Sequence, residues 1–168
     1  MDFKFSENFS PNSKVWIYQS DRRFRAEEVA AIENELNSFS NKWTAHKMDL
    51  KATGTLLMSQ FIILLVDESE HSASGCSIDT SVHFIRKLEN QYGVKLLERS
   101  VLLFELGGDL IGIPLAELSN KISDGTILPE TIYYNNSVSN LNELKLNWRI
   151  AAKKSWLAAK FSSVPDWL

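Results

Sequence analysis

The sequence contains a single cysteine, Cys76, and lacks a hydrophobic run long enough to cross a membrane. One cysteine excludes a disulfide within the chain and is typical of a protein in a reducing compartment. The longest hydrophobic segment, 56–66, is interrupted by Ser59 and Gln60 and is far shorter than the roughly 20 residues of a membrane helix. Residues 1–7 carry acids and a lysine where a secretory signal peptide has a continuous apolar core. We therefore expect a cytoplasmic protein without membrane insertion.

The sequence also lacks an excess of positive charge. Its formal net charge is −3 over 168 residues, whereas a nucleic-acid-binding protein normally presents a basic surface. Nucleic acid is therefore not an expected partner. Hydrophobic residues make up 44% of the chain and charged residues 23%, which is close to the average for globular proteins and excludes wholesale disorder. Because no repeat, low-complexity tract or linker is visible, we expect one domain over 1–168.

Hydrophobic patterning predicts an α+β fold. From residue 15 to residue 105 the pattern follows the order strand, helix, strand, strand, helix, strand, which is that of a split βαβ, or ferredoxin-like, core. This order predicts a mixed or antiparallel sheet with helices packed on it. We interpret 1–13 as a loosely held arm, 15–105 as the βαββαβ core, and 106–168 as a C-terminal β/α extension and tail.

Local patterns position some of the strands. The run 61–66 is apolar at every position, so it is predicted to be a central strand that is antiparallel to its neighbours. Its hairpin partner is predicted over 43–50, with a turn near Gly54. Gly107 and Gly108 predict a second hairpin farther along the chain.

Residues 74–81, Ser-Gly-Cys-Ser-Ile-Asp-Thr-Ser, join the predicted central strand to the clearest amphipathic helix. A turn of small residues that leads into a helix presents free backbone N–H groups and the positive end of the helix dipole. That arrangement suits an anion, a phosphate or a thiolate. The candidate ligand-binding residues of this turn are Ser74, Gly75, Ser77 and Asp79.

The predicted sheet brings further polar side chains to this turn. With a hairpin turn near Gly54, antiparallel pairing sets His46 opposite 64–66 and Trp43 near Asp67. The side chains expected to converge at one edge of the sheet are Trp43, His46, Asp67, Glu68, Cys76, Ser77 and Asp79. Trp43 and Glu68 therefore join the candidate ligand-binding residues.

A thiol, an imidazole and a carboxylate in one place are the ingredients of an activated nucleophile. The candidate catalytic residues are Cys76 as the nucleophile, His46 as its base and Asp67 as the group that orients the imidazole. The remaining histidines, His71 and His83, have no spacing that supports a metal site, so no metal is expected.

Each of these residues also has a purely structural interpretation. Cys76 is then a small buried residue beside a helix cap, Ser77 caps the helix, and Asp79 stabilises the helix dipole. Asp67 and Glu68 are then solvated acids at the end of a strand. His46 is then a surface residue that forms a hydrogen bond, and Trp43 is a core side chain.

A resemblance to a known family is carried by several segments together: 15–20, 43–46, 66–68, 74–81, 98–99, 134–136 and 154–157. With these segments the chain resembles a family of small uncharacterised bacterial proteins that genomes often label "ABC transporter ATPase". The likeness spans nearly the whole chain, and Ser-Gly-Cys-Ser-x-Asp is its most specific part.

The label implies ATP hydrolysis, which in that class needs a loop of the form G-x-x-x-x-G-K-[ST] to hold the phosphates and magnesium. The closest spacing here, Gly107 to Gly112, is followed by Ile113 and Pro114 and supplies neither the lysine nor the hydroxyl. ATPase activity of this kind is therefore not expected, and no cofactor is indicated.

Two functions remain open at this point. The first is a non-catalytic interaction or regulatory module, in which aromatic residues near the C-terminus, Trp156, Phe161 and Trp167, anchor a protein partner. The same side chains would instead belong to the core if the tail folds back on the domain. The alternative function is binding of a small anionic ligand or nucleotide at 74–79, with a thiol-dependent enzyme as its catalytic form.

Overall fold

The computed structural model describes residues 3–161. These residues form two compact units, 3–97 with 139–145 and 98–138 with 146–161. In chain order the elements are β1 (Lys14–Gln19), α1 (Ala26–Ser40), β2 (Thr44–Ala45), β3 (Met48–Asp49), β4 (Lys51–Leu57), β5 (Phe61–Asp67), α2 (Gly75–Tyr92), β6 (Val101–Leu106), β7 (Asp109–Pro114), α3 (Leu118–Ser123), β8 (Ile132–Tyr134), α4 (Leu141–Asn147), β9 (Arg149–Ala151) and α5 (Ala158–Phe161). Short 3₁₀ helices cover Lys4–Ser6, Leu115–Glu117 and Ala152–Lys154. The predicted α+β class is confirmed.

The first unit is built on an antiparallel sheet in the strand order β1-β5-β4. β5 is the central strand, and Ile63 in its middle pairs with Ile17 of β1 and Thr55 of β4. All 7 residues of β5 are buried, as a strand covered on both faces requires. The central, antiparallel position predicted for 61–66 is therefore confirmed.

Helices α1 and α2 pack on one face of this sheet. Ile32 and Leu36 lie one turn apart on α1, so they share a face of the helix. They form one buried cluster with Ile62, Leu64 and Val66 of β5 and with Ile85 and Leu88 of α2. Burying each of these aliphatic side chains stabilises the fold by about 1.5–3 kcal/mol, so the cluster is what holds the helices on the sheet.

The hairpin partner of β5 differs from the prediction. The turn lies at 58–60, where Met58 and Ser59 adopt positive φ angles of 55° and 53°, and the paired strand is β4 rather than 43–50. Gly54 lies inside β4, where a Cβ atom would come within 3.1 Å of Leu64 and 3.2 Å of Leu36. The glycine therefore allows close packing against α1. The turn is made by Met58 and Ser59, without a glycine.

The second unit has its own antiparallel sheet, in the strand order β7-β6-β8-β9. The predicted β6–β7 hairpin is confirmed, with Gly107 and Gly108 at positive φ angles of 60° and 92°. The buried cluster of this unit includes Phe104, Ile113, Leu118, Ile122 and Tyr133.

The placement of β6 corrects the predicted core. A ferredoxin-like sheet over 15–105 would add β6 to β1, β4 and β5, but β6 pairs with β7 and β8 instead. The four-stranded sheet is therefore not formed, because two local antiparallel partners satisfy the backbone groups of β6. The single domain over 1–168 stays a prediction, since two compact units can be parts of one domain.

The arm predicted over 1–13 is attached to the first unit over its described part. Ser6 and Ser13 are buried, and the Ser10 N–H donates to Asp67 Oδ2 over 3.2 Å. The Leu141 N–H donates to the carbonyl of Ser13 over 2.9 Å, and the Val15 N–H donates to the carbonyl of Ser139 over 3.0 Å. The described part of the arm is therefore hydrogen-bonded to the unit, because these backbone groups find partners within it.

The two glycines Gly54 and Gly75 are expected to respond to alanine with opposite signs. Gly54→Ala crowds Leu36 and Leu64, and overpacking of about 1–3 kcal/mol outweighs the ~0.5–1 kcal/mol gained from a stiffer backbone. Gly75 lies in the first turn of α2 with open space around it, so Gly75→Ala raises the free energy of unfolding by about 0.4–1 kcal/mol. Urea denaturation of both variants measures the signs, and equal effects would contradict the role given to Gly54.

Candidate functional site

The 74–81 segment begins a helix, as predicted, but the cap is one turn earlier than expected. Ser74 has an extended backbone, and its hydroxyl accepts the N–H of Ser77 over 3.2 Å. In return, Ser77 Oγ accepts the N–H of Ser74 over 2.7 Å. This reciprocal pair is a capping box, so Ser74 rather than Ser77 is the N-cap. Gly75, Cys76 and Asp79 consequently lie within the first turns of α2.

Cys76 is exposed, so its interpretation as a small buried residue is wrong. Its carbonyl accepts the hydroxyl of Thr80 over 2.9 Å, and Asp79 on the same helix is also exposed. Within the part of the chain that the structure describes, no side chain hydrogen-bonds the Cys76 thiol. A nucleophile needs a base within hydrogen-bond reach, and Cys76 has none in this arrangement.

His46 does not lie opposite 64–66. It occupies the turn between β2 and β3, with a positive φ angle of 51°, and its side chain is exposed. Ala52 and Gly54 are the residues of β4 that face Val66 and Leu64 across the sheet. The prediction for His46 is wrong because it places the hairpin turn near Gly54. That turn pairs 43–50 with the central strand, whereas β4 is the strand that pairs with it. Over residues 3–161, neither Cys76 nor Asp67 hydrogen-bonds the His46 ring.

Asp67 is a buried structural carboxylate at the end of β5, with a relative exposure of 3%. Lys51 Nζ donates to Oδ2 over 2.8 Å, and the N–H groups of Ser10 and Ser69 donate over 3.2 and 3.1 Å. The Ser69 hydroxyl also contacts Oδ1. The Lys51 ammonium, together with these donors, holds the pKa of Asp67 well below its usual range. Neither the solvated role nor the imidazole-orienting role expected for Asp67 is therefore correct.

Glu68 is likewise occupied by neighbours. Its Oε1 accepts the Ala73 N–H over 2.8 Å, which closes the loop before α2. Its Oε2 lies 3.1 Å from Lys14 Nζ. Glu68 thus links the first strand to the start of α2, and its contacts explain its position without a ligand.

Trp43, like Glu68, reaches the start of α2. It is buried, and its indole Nε1–H donates to the Ser77 carbonyl over 2.8 Å. Its ring centroid lies 5.0 Å from that of Phe39 and 5.8 Å from that of Trp16. The predicted convergence therefore holds for Trp43 and Ser77. Trp43 serves there as a core side chain that fixes the helix start.

A cavity of about 390 Å³ that is open to solvent lies on the first unit and involves residues that the sequence did not single out. Its walls include Asn12, Lys14 and Trp16 from the first strand region, Ile78 from α2, and Ser139 and Asn140. Only Ile78 belongs to the 74–81 segment. No sequence signal indicates this cavity, because it depends on the isolated bridge between Lys14 and Asn140, which are far apart along the chain.

The second unit presents a half-exposed tryptophan. Trp156 has a relative exposure of 48%, and its Nε1–H donates to the hydroxyl oxygen of Tyr133 over 3.2 Å. The two rings meet edge to face, at 82° and 6.5 Å between centroids. Phe161 is partly buried against the core of this unit. Of Trp156 and Phe161, it is therefore Phe161 that packs on the domain as the core alternative expected. Trp167 lies outside the described residues.

Comparison of the chain with family models, curated protein sequences and solved structures finds no match. None of the helices in the described part of the chain is long and apolar enough to cross a membrane. Within the same part, no group of three or more histidine, cysteine, aspartate and glutamate side chains is arranged to hold a metal ion.

Cys76 is expected to react with iodoacetamide to completion in the folded protein, because its side chain is exposed. His46→Gln is expected to leave the rate constant unchanged, since no hydrogen bond joins the imidazole to the sulfur. His83→Gln, on the exposed side of the same helix, is the matched control. A fall of about a hundredfold in His46→Gln alone, the scale of general-base assistance, would restore the nucleophile hypothesis.

Asp67 is expected to make stability depend on pH. A carboxylate whose pKa is lowered by folding stabilises the protein fully above its unfolded-state value of about 3.9, and this stabilisation is lost as the pH falls toward the folded-state value. Asp67→Asn is expected to lower the free energy of unfolding by about 1.5–3 kcal/mol at pH 7, with a smaller difference from wild type below pH ~4. Urea denaturation at pH 7 and below pH ~4 measures the difference in the free energy of unfolding. Asp49→Asn, at an exposed aspartate, is the control. A constant difference at both pH values would contradict the ion pair.

Proposed function

We propose that this protein is a non-catalytic interaction module whose second unit binds an acidic segment of a partner protein at the Trp156 surface. This surface is defined as Tyr133, Lys153, Lys154 and Trp156. The observation that carries the proposal is the half-exposed indole of Trp156, whose orientation is fixed by the hydrogen bond and edge contact with Tyr133. A large aromatic side chain that is already ordered loses little conformational entropy on binding, and such residues dominate the energy of protein interfaces.

The charge of the surrounding chain favours an acidic partner. No aspartate or glutamate occurs between residues 144 and 161, whereas this stretch contains the basic residues Lys145, Arg149, Lys153, Lys154 and Lys160. Arg149 is paired with Glu105, at 2.5 Å from Oε2, and Lys153 contacts Glu130. Lys154, two residues before Trp156, is exposed. An exposed lysine two residues from an exposed tryptophan suits a segment with a carboxylate close to an apolar side chain.

The non-catalytic part of the proposal is supported by the first unit. The Cys76 thiol and the His46 imidazole are exposed and share no hydrogen bond, and the Asp67 carboxylate is paired with Lys51. This arrangement does not support the catalytic form of the anion-binding hypothesis. A cytoplasmic location remains part of the proposal, with the single cysteine as its support. The resemblance to proteins labelled "ABC transporter ATPase" supplies no further support, because the chain lacks the phosphate-binding loop.

The proposal is tested by selecting peptides from a random display library on the full-length protein, with counter-selection on Trp156→Ala. We expect the recovered peptides to combine aspartate or glutamate with a neighbouring aromatic or leucine residue. Synthetic peptides of these sequences are expected to bind Trp156→Ala at least about thirtyfold more weakly, since truncation of an aromatic anchor that is buried in the complex costs about 2 kcal/mol or more.

Leu146→Ala is the matched control, because Leu146 is an exposed apolar residue of the same unit outside the Trp156 surface. It is expected to bind the peptides as tightly as wild type. Selection of peptides that bind Trp156→Ala equally well would overturn the proposal. Binding of the protein to anionic vesicles or to RNA, with no Trp156-dependent peptide, would overturn the assignment of a protein partner.

A further inference from the structure

We infer that the cavity of the first unit binds a small aromatic carboxylate, with its carboxylate at Lys14 and its ring between Trp16 and Ile78. This site is independent of the Trp156 surface. The cavity volume of about 390 Å³ lies in the range of small-molecule sites, which are mostly apolar and contain a few polar groups that fix orientation.

The polar groups of the cavity favour a negatively charged ligand. Among residues 3–161, Lys14 is the charged residue of its lining, and that lining includes no carboxylate side chain. The ammonium of Lys14 has three N–H donors, and one of them faces Glu68 Oε2 at 3.1 Å. Within the described part of the chain, two of its donors therefore remain for a ligand.

The carboxamide of Asn140 adds to this preference. Its oxygen accepts the Glu143 N–H over 2.9 Å, so the donor NH₂ group is the part of the side chain left for other partners. The hydroxyl of Ser139 donates to Glu143 over 3.2 Å and is not counted as a donor to the ligand. An ammonium and an amide NH₂ in one cavity match the two oxygens of a carboxylate.

The apolar part of the cavity favours a flat ring. Trp16 is half-buried, and its ring packs at 58° and 5.8 Å on the buried ring of Trp43. Trp43 is itself fixed by its hydrogen bond to the Ser77 carbonyl, one residue before Ile78. Because the wall is held in place before a ligand arrives, binding an aromatic ring against it costs little reorganisation.

The test uses 2-naphthoate as the probe, the neutral alcohol 2-naphthalenemethanol as its uncharged analogue, and the full-length protein. The indole N–H signals in ¹H–¹⁵N NMR spectra locate binding, with the Trp16 signal assigned from Trp16→Phe. We expect 2-naphthoate to shift the Trp16 signal and to bind more tightly than the alcohol. Lys14→Met is expected to weaken naphthoate binding about tenfold, the effect of losing one hydrogen bond to a charged group, and to leave the alcohol unchanged.

Two further variants separate this site from nonspecific attraction. Glu68→Gln keeps an acceptor for the Ala73 N–H but removes the carboxylate that competes for Lys14, so naphthoate is expected to bind more tightly. Lys95→Met removes an exposed charge elsewhere in the same unit and is expected to change nothing. The inference is overturned if naphthoate leaves the Trp16 signal unmoved, if only other indole signals shift, or if Lys95→Met weakens binding as much as Lys14→Met.

Discussion

Strand β5 buries every one of its side chains, and the rest of the first unit is arranged around that constraint. A strand without a solvated face must have all of its backbone groups paired and a layer on each side. β1 and β4 supply the pairing along its two edges. At its start, the buried Gln60 donates from Nε2 to the Ser20 carbonyl over 3.0 Å. At its end, Asp67 accepts from Lys51, Ser10 and Ser69, which ties β4 and the N-terminal segment to the same point.

This constraint explains why Asp67 is unavailable for catalysis. A carboxylate at the end of a buried strand loses hydration, and hydrogen bonds from charged, backbone and hydroxyl donors compensate for that loss. Lys51 stands directly opposite Asp67 in the register of β4 and β5, so the ion pair follows from strand pairing. If the hairpin had turned at Gly54, Lys51 would have lain in the loop and Asp67 would have needed a different partner.

The features that the sequence predicts correctly are those set by local composition. The apolar run 61–66 predicts a central strand, the small residues of 74–81 predict the start of a helix, and Gly107 with Gly108 supplies the positive φ angles of a hairpin. The errors arise where a residue has two physical uses. Gly54 is typical of a turn, but in the structure it provides space for Leu36. Met58 and Ser59 make the turn without a glycine. The predicted register of the hairpin is wrong because of this one ambiguity, and the predicted position of His46 is wrong with it.

Long-range pairing accounts for the parts of the candidate sites that the sequence cannot reveal. β6 forms the predicted hairpin with β7, but its second partner is β8, which comes later in the chain, and composition does not distinguish β8 from a strand of the first sheet. The cavity beside Trp16 needs Ser139 and Asn140 to return to β1, and no periodicity encodes that return.

The two proposed sites use the same physical device on a chain whose net charge is −3. In each unit an aromatic ring is held by a neighbouring ring, Trp16 by Trp43 and Trp156 by Tyr133. Lys14 lines the same cavity as Trp16, and Lys154 precedes Trp156 by two residues along the chain. A negatively charged protein repels anions at long range, so their attraction must come from such local cations at short distance. Screening by salt weakens the long-range repulsion as well as the local attraction. We therefore expect the ring to carry the binding that persists at high salt in both proposed sites, while the lysine selects the sign of the charge.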